Sequence, residues 1–464
     1  MGEFKDSKKT VETLDFYPFA YALADEELCN YCWFCLKAPD TEPLKRCSAC
    51  RIASFCGREC QENGWMDHRV ECRGFTNLSD DAPMPGVEVR MLGRLVTRYK
   101  SIQQGKDKVL PHFYDKRSSQ RSLMDLVAHE DDIRCDSRSL AKFKELYQEL
   151  LSFYGGKNMV DEETVFKIHC RNFINRHGIS DKHYMKEIGK GLYLDLCAYD
   201  HSCRPNVIYT CDGITATLRP LNTNVDIRDK TKTFYTYIDI LNHKDMRRNM
   251  LKGSWYFQCQ CERCTDEKDN FLTSIKCPKC EKPVCLFGNL HKDKVSLKVT
   301  CPDCLETLSK ELITKGIQGM RYIDEILDRE EIVKMEPVQG KKFVTELLEK
   351  FKELLPKINV FYVKLLQAAI GFCQPNETQK LLDYHLEAEE CMRASFPANH
   401  PSLSYHLMNI GMWLYQLGKK DQGLPYLEEA KKMIHFVLGT DHPFALDIDS
   451  CLAGNNPIME PAAE

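Results

Sequence analysis

The sequence has no apolar run approaching the ~20 residues that a membrane-spanning helix needs. Its first stretch, MGEFKDSKKTVETLDF, lacks the apolar core of a signal peptide. The formal net charge of −4 gives no overall basic field, so nothing in the composition requires direct nucleic-acid binding. These absences predict a protein of the nucleus or the cytoplasm with no membrane partner.

The composition is otherwise that of an ordinary globular protein. A chain of 464 residues suggests about three domains at roughly 150 residues each. Hydrophobic residues make up 43% and charged residues 28%, which is typical of a folded protein in water. The chain has 24 cysteines, which are not expected to form a disulfide framework in a reducing compartment. Their clustering therefore indicates metal binding.

The first cysteine cluster lies in residues 32–72, which combine seven cysteines with one histidine. The spacing C-x2-C, C-x2-C, C-x3-C and H-x3-C suits two tetrahedral zinc sites. A segment this short buries little core, so metal binding would supply its folding free energy. Cys29 also has the right spacing from Cys32, but it would have to displace one of the other ligands. The predicted ligands are Cys32, Cys35, Cys47, Cys50, Cys56, Cys60, His68 and Cys72.

A second group is split along the chain. The stretch YDHSCRPNV (199–207) holds a cysteine that could be a nucleophile served by a neighbouring histidine, a metal ligand or a buried core residue. The stretch FQCQCERC offers three thiols, one fewer than a structural zinc site requires. The isolated cysteine is the obvious candidate for the fourth position. The predicted site consists of Cys203, Cys259, Cys261 and Cys264.

Two further C-x2-C pairs bracket the β-rich stretch PVCLFGNLHKDKVSLKV. Paired knuckles around a hairpin indicate a zinc ribbon. Cys285 lies within the strand pattern and is predicted to be a core residue. About four zinc ions would then use 15 cysteines and one histidine, and the nine remaining cysteines are predicted to be interior residues. The ribbon ligands would be Cys277, Cys280, Cys301 and Cys304.

Four motifs follow one another in a characteristic order. The first is the cysteine cluster of residues 32–72. It is followed by GKGLYLDLCAYDHSCRPNV (189–207), TFYTYIDIL (233–241) and WYFQCQCERC (255–264). This arrangement resembles the SET and MYND domain-containing protein-lysine methyltransferases along nearly the whole chain. The resemblance implies an α+β multidomain fold: a SET β-fold split by a MYND zinc finger, a post-SET zinc site, a zinc ribbon and a C-terminal TPR-like α-helical domain.

The resemblance also implies how the zinc ligands are shared. In the finger, Cys32, Cys35, Cys56 and Cys60 would hold one zinc, while Cys47, Cys50, His68 and Cys72 would hold the other. The cysteine of the H-S-C motif would join the C-x-C-x2-C trio. A cysteine nucleophile served by His201 is then not expected. Such fingers usually recognise proline-rich peptides, which are therefore candidate partners.

The expected domain boundaries combine the resemblance with local patterns. Apolar residues recur at intervals of three and four residues in SRSLAKFKELYQELLSFYGG. This spacing predicts a helix that ends at a glycine. The His-Pro pairs at 400 and 442 recur 42 residues apart, as in TPR-like helix pairs. The final AGNNPIMEPAAE is predicted to be disordered. The boundaries are 1–28 for a residual N-terminal SET segment, 29–72 for the MYND finger, 73–165 for a helical insert, 166–258 for the SET core, 259–264 for the post-SET motif, 265–310 for the ribbon and 311–464 for the TPR-like domain.

The activity implied by the resemblance is methyl transfer from S-adenosylmethionine to lysines of histones or other proteins. A free lysine with a pKa of about 10.4 is protonated at neutral pH, so the site must supply a neutral amine. An aromatic channel lowers that pKa by desolvation. By position in the family, Tyr237 is the catalytic residue. The residues implied in cofactor binding are Asp200, His201, Asn172, Trp255 and Phe257.

Several positions depart from the family pattern. Asp200 and Arg171 replace asparagines, although Asn172 is adjacent, and Trp255 replaces a tyrosine. Residues 230–232 read KTK where the family has G-E-E, and no G-x-G turn precedes the finger. These changes raise an alternative to the enzyme, namely a catalytically weak or inactive zinc-stabilised scaffold that binds partner peptides through its MYND and TPR-like surfaces. If the cofactor site is retained, Arg171 is expected to neutralise Asp200 as an ion pair.

Overall fold

The computed structural model describes residues 12–79, 82–106, 121–184, 186–286, 298–328, 332 and 334–454. Most of the predicted ribbon hairpin (287–297) and most of the tail predicted to be disordered (455–464) lie outside these residues. Within the described ranges, no helix is long and apolar enough to cross a membrane.

The β structure consists of short strands that form small sheets. Their order along the chain is β1 Leu14–Phe16, β2 Ala20–Leu23, β3 Lys45–Arg46, β4 Ser54–Phe55, β5 His177–Ser180, β6 Glu187–Leu192, β7 Asp200–His201, β8 Val207–Asp212, β9 Thr215–Pro220, β10 Phe234–Tyr235, β11 Ile275–Lys276 and β12 Pro283–Val284.

Helices fill the segment after the finger and most of the C-terminal third. They are α1 Arg58–Asn77, α2 Val87–Gln103, α3 Glu130–Cys135, α4 Ser137–Tyr154, α5 Glu162–Asn175, α6 Lys244–Trp255, α7 Glu262–Thr265, α8 Lys310–Asp328, α9 Pro337–Lys352, α10 Val360–Gly371, α11 Thr378–Ser395, α12 Pro401–Gln416, α13 Lys420–Val437 and α14 Pro443–Leu452.

Strands from both sides of the finger pair in the same sheets. One antiparallel sheet has the order β1-β9-β8 and another has the order β2-β6-β5, while β10 lies parallel to β7. The glycines of the GKG motif leave no room for a side chain, against β2 at Gly189 and against neighbouring side chains at Gly191. A Cβ at Gly189 would lie 2.5 Å from the carbonyl oxygen of Ala22, and one at Gly191 would lie 2.8 Å from the ring of Tyr193. The finger is therefore an insertion within a folded unit.

Among the described residues, arginines rather than another strand cover the outer edge of β2. Helix α2 carries arginines every four residues, and their guanidinium groups donate to alternate carbonyls of β2 and the residue before it. The spacings match because four helical residues rise about 6 Å and two strand residues about 6.6 Å. The pairs are Arg90 with Leu23, Arg94 with Tyr21 and Arg98 with Phe19.

The recurring His-Pro pairs each begin a helix. The Nδ1 atom of His400 accepts a hydrogen bond from the backbone N–H of Ser402 at the start of α12, and His442 accepts one from Phe444 at the start of α14. Proline at the first helical position loses no hydrogen bond there. The predicted helix over SRSLAKFKELYQELLSFYGG is also present as α4, and Gly155 follows it with φ of 75°.

Candidate functional site

The finger ligands form the two groups that the resemblance implied. In each group, every donor atom lies within 4.8 Å of the others. A tetrahedral zinc with Zn–S bonds of about 2.3 Å sets its sulfur atoms about 3.8 Å apart. The Sγ atoms of Cys35 and Cys56 are 3.6 Å apart, and those of Cys47 and Cys72 are 3.8 Å apart. The groups are Cys32, Cys35, Cys56 and Cys60, and Cys47, Cys50, His68 and Cys72.

The two groups outside the finger have the same geometry. Cys203 is fully buried and lies 3.6 Å from Cys264, sulfur to sulfur, so the distant cysteine does complete the trio. In the ribbon, the sulfur atoms of Cys277 and Cys304 are 3.5 Å apart. The groups are Cys203, Cys259, Cys261 and Cys264, and Cys277, Cys280, Cys301 and Cys304.

The donor chemistry of these groups fits zinc. Burial lowers the pKa of His68 to about 4, so its imidazole is neutral, which is the form that binds metal. At the third group, hydrogen bonds with the neighbouring thiols raise the pKa of Cys203 and lower that of Cys261. Four sulfur atoms this close cannot all be thiolates without a cation between them. One divalent cation in each of the four groups would offset the negative charge of its thiolates.

The remaining cysteines differ from the prediction that all nine are interior. Cys29 and Cys135 are exposed, and Cys29 lies outside both finger groups. Cys285 and Cys373 lie just beyond the ends of β12 and α10, outside any helix or strand. Cys170, Cys211, Cys391 and Cys451 are buried, whereas Cys197, Cys285 and Cys373 are only half-buried.

Tyr237 lies among aromatic rings beside the third metal group. Its ring centroid is 5.5 Å from that of Trp255 and 5.1 Å from that of Tyr235. Its hydroxyl donates to the carbonyl oxygen of Tyr199 at 2.9 Å. Burial and the carboxylate of Asp200 raise the pKa of Tyr237, so the hydroxyl keeps its proton at neutral pH.

His201 connects Tyr237 to the metal ligands. Its Nδ1 accepts a hydrogen bond from the backbone N–H of Tyr237 at 3.0 Å. The proton is therefore on Nε2, which lies 3.2 Å from the sulfur of Cys203 and donates to it. Burial lowers the pKa of His201 to about 4, so the ring is neutral. The side chain of His201 is thus committed to protein partners on both sides.

Trp255 and Phe257 precede and follow Tyr256 in the chain, and both rings lie beside the site. The indole N–H of Trp255, the last residue of α6, donates to the carbonyl oxygen of Ile174 at 2.9 Å. Tyr256 follows with φ of 57°, in the left-handed region that costs energy for a side chain other than glycine. The ring of Phe257 then lies 6.2 Å from that of His201. The strained residue lets two aromatic neighbours flank one site.

A pocket of about 100 Å³ opens beside Tyr237. The sequence did not point to two of its residues, His177 and Tyr235, whose side chains are joined by a 2.7 Å hydrogen bond. Burial lowers the pKa of His177 to about 4. The Y-T-Y pattern could have indicated Tyr235, since alternate strand residues share a face. The described lining is Ile174, Asn175, Arg176, His177, Gly178, Cys197, Tyr209, Tyr235, Thr236, Tyr237 and Trp255.

The expected ion pair between Arg171 and Asp200 is wrong. Arg171 donates to a carboxylate oxygen of Glu130 at 2.7 Å and to the carbonyl oxygen of Met124, because α3 and the preceding turn pack against its helix. Asp200 is exposed on β7. The neighbouring Asn172 is buried, and its Oδ1 has no hydrogen-bond partner among the described residues.

Comparison with known proteins agrees with this architecture. Residues 32–72 match the MYND finger family. The chain is 23% identical over 438 residues to N-lysine methyltransferase SMYD2-A of Danio rerio, covering 93% of this chain and 89% of that protein. It is 25% identical over 435 residues to Histone-lysine N-methyltransferase SMYD3 of Mus musculus, with coverage of 93% and 89%. N-lysine methyltransferase SMYD2 of Homo sapiens is 23% identical over 440 residues, with coverage of 93% and 90%.

The finger match and the similarity along 93% of the chain agree with the four cysteine groups and with the order of motifs. At 23–25% identity the sequence has diverged far from these relatives. Along 93% of its length the chain is therefore similar to SET and MYND domain-containing protein-lysine methyltransferases, and it carries their MYND finger at residues 32–72.

Proposed function

We propose that this chain transfers a methyl group from S-adenosylmethionine to lysine side chains of histones or other proteins. The observation that carries the proposal is the position of Tyr237, between a histidine attached to a metal ligand and an aromatic pocket. The relatives that match along 93% of the chain are named lysine methyltransferases.

The proposed architecture is a SET β-fold divided by the MYND finger. Pairing of β1 with β9 and of β2 with β6 across the finger supports the division. The helices begun by His-Pro pairs support TPR-like repeats after the ribbon. The proposed boundaries remain those of the sequence: 1–28, 29–72, 73–165, 166–258, 259–264, 265–310 and 311–464.

The residues proposed to hold the cofactor are Asp200, His201, Asn172, Trp255 and Phe257, with His201 acting by packing alone because both of its ring nitrogens have protein partners. The cofactor supplies a methyl group on a positively charged sulfur. Aromatic rings attract such a cation, and Trp255 and Phe257 provide them. The unpartnered Oδ1 of Asn172 is an acceptor available to an ammonium or a hydroxyl. Asp200 would carry a carboxylate in place of the family's amide.

The pocket beside Tyr237 would receive the target lysine as a neutral amine. Among its described lining residues none is acidic, and Arg176 carries a positive charge. Arg176 pairs with Glu88, which also accepts from Lys190 at 2.8 Å, so two cations share one carboxylate. Desolvation and a nearby like charge both lower the pKa of an entering ammonium. This environment favours loss of the proton that methyl transfer requires.

Tyr237 would orient the reacting amine. Because its hydroxyl keeps its proton and is held by the carbonyl of Tyr199, its oxygen retains a lone pair that can accept from an amine N–H. Such positioning accounts for much of the acceleration expected when two groups are held in line. No nucleophilic side chain is required.

The proposed partners are lysine-bearing proteins and, at the MYND finger, proline-rich peptides. The proposed location is the nucleus, the cytoplasm or both. Direct nucleic-acid binding and a membrane partner are not part of the proposal.

The test is calorimetric binding of S-adenosylmethionine together with transfer of labelled methyl to histones and to a lysate. Wild-type protein should bind the cofactor and methylate protein. Tyr237→Phe should retain binding and lose transfer, while Tyr322→Phe, at an exposed tyrosine of α8, should behave as wild type. Absence of binding by wild-type protein at millimolar cofactor would refute the proposal and leave a zinc-stabilised scaffold.

A further inference from the structure

One guanidinium group joins three parts of the chain that are remote in sequence. The Nη1 atom of Arg263 lies 2.9 Å from the carbonyl oxygens of both Ile240 and Ser395 and 3.3 Å from that of Cys203. Arg263 is only 1% exposed. We propose that Arg263 is a positioning residue that holds the metal-binding loop of Cys203, the segment carrying Tyr237 and the C-terminal end of α11 in one arrangement.

The contact with α11 is favoured by the helix itself. Ser395 is the last residue of α11, and the final carbonyls of a helix have no partner within it. These carbonyls form the negative end of the helix dipole, which stabilises a nearby cation. Arg263 provides both a donor and a positive charge at this point. An apolar side chain of similar volume would leave the buried carbonyl of Ser395 without this donor.

The orientation of Arg263 is set by a buried carboxylate. The Nε of Arg263 donates to Oδ1 of Asp269 at 2.7 Å, and the Nη2 of Arg247 donates to Oδ2 of the same group at 2.7 Å. The side chains of all three residues are at most 2% exposed. With both oxygens of Asp269 occupied, Arg263 cannot rotate away without leaving buried charges unpaired.

Arg263, Arg247 and Asp269 form a triad of buried charges, and this triad faces the metal site. Nη2 of Arg247 lies 3.9 Å from the sulfur of Cys264. Four thiolates around one Zn²⁺ carry a net charge of −2. The two arginines and one aspartate carry +1, which offsets part of this buried charge. The triad therefore belongs to the surroundings that stabilise the site, although none of its members is a ligand.

Tyr237 is held from two sides by this arrangement. Its backbone N–H is fixed by His201, two residues before Cys203, and Arg263 fixes Ile240, three residues after Tyr237. The metal loop and Arg263 thus fix the position of the segment around Tyr237. Through its hydrogen bond to Ser395, Arg263 also fixes α11 relative to that segment. Other contacts also join α12 to the sheet region, such as that of Tyr405 with the carbonyl of His183. Loss of Arg263 should therefore loosen the junction locally.

The test is hydrogen exchange measured by mass spectrometry on full-length Arg263→Lys, with zinc counted in the same samples. A lysine keeps the charge but cannot serve Asp269 and the carbonyls together. The segments around Tyr237 and Ser395 should both exchange at least about tenfold faster, the factor expected from losing a charged hydrogen bond. The zinc content should stay unchanged. Arg204→Lys is the matched control, since Arg204 pairs at the surface with Glu262 and Asp266.

Metal-site variants provide a second test should Arg263→Lys fold poorly. Cys203→Ser and Cys277→Ser should each lose one zinc, but only Cys203→Ser should accelerate exchange around both Tyr237 and Ser395. Acceleration in one segment alone, or in neither, would overturn the proposal. So would loss of zinc from Arg263→Lys, which would make Arg263 a support of the metal site only.

The positioning role can also be separated from the proposed reaction. If wild-type protein methylates lysine, Arg263→Lys should lower kcat while leaving the cofactor dissociation constant unchanged, because Tyr237 moves and no binding group is lost. An unchanged kcat would contradict the positioning role. If wild-type protein proves inactive, the exchange result still decides the inference, so the two proposals fail independently.

Discussion

Replacing Glu71 by glutamine tests how the finger is joined to the rest of the protein. Glu71 lies in the last turns of α1, next to the ligand Cys72, and is fully buried. It accepts two hydrogen bonds from Arg94, at 2.7 and 2.8 Å, and a third from the hydroxyl of Tyr154 at 3.1 Å. Arg94 in turn donates to the carbonyl of Tyr21 in β2. One carboxylate therefore connects the finger helix, two later helices and a sheet.

The substitution leaves the charge of Arg94 buried and without its partner. Removing one member of a buried pair costs about 3–5 kcal/mol. For a cooperative unit of 150–250 residues, each kcal/mol lowers the melting temperature by roughly 2–4 °C. We therefore expect calorimetry to show the transition of the N-terminal half lowered by roughly 10 °C, within a range of about 6–20 °C.

Glu62→Gln is the control for this experiment, because Glu62 pairs with Arg58 on the exposed face of the same helix. It should not change the melting temperature measurably. Zinc content should be the same in wild type and both variants, since no ligand is altered. A shift below 2 °C for Glu71→Gln, with zinc retained, would refute the reasoning that this pair joins finger and sheet.

Three further predictions follow from the site and the core. Purified protein should contain close to four zinc ions per chain by elemental analysis, and two or fewer would contradict the Cys203 and ribbon groups. Arg176→Gln removes a positive charge beside the pocket, so the pKa of the target amine should rise. The rising limb of the pH–rate profile should then move to higher pH, and a limb that stays in place would contradict the proposed role of Arg176. Gly93→Ala should destabilise the protein strongly in denaturant unfolding, because its Cβ would lie 2.1 Å from the ring of Tyr154; stability equal to wild type would show that the ring can move aside.

Features that depend on neighbouring residues could be predicted from the sequence. The C-x2-C pairs bring ligands together within single turns, so the metal groups needed little knowledge of the fold. The role of Cys203 followed from counting, because three thiols are one short of a zinc site. Helix α4 followed from its period and its terminal glycine. In each case the signal and its physical cause lie within one short segment, or in a ligand set with a fixed number of members.

Features that depend on how remote segments approach one another could not be predicted. The identity of Arg171 suggested a pair with Asp200, but the packing of α3 against α5 gave it Glu130 instead. His177 belongs to no motif, and it lines the pocket only because the fold brings it within 2.7 Å of the hydroxyl of Tyr235. A side chain's partner is determined by the direction in which its element points, and spacing along the chain does not record that direction.

Arg263 shows this division most clearly. The sequence indicated that its neighbours Cys261 and Cys264 bind metal, since closely spaced thiols are typical zinc ligands. Nothing in the sequence indicated that the arginine between them would reach carbonyl groups of residues 203, 240 and 395. Only the tertiary structure decided that, because a buried guanidinium takes whichever acceptors the packed elements leave without donors.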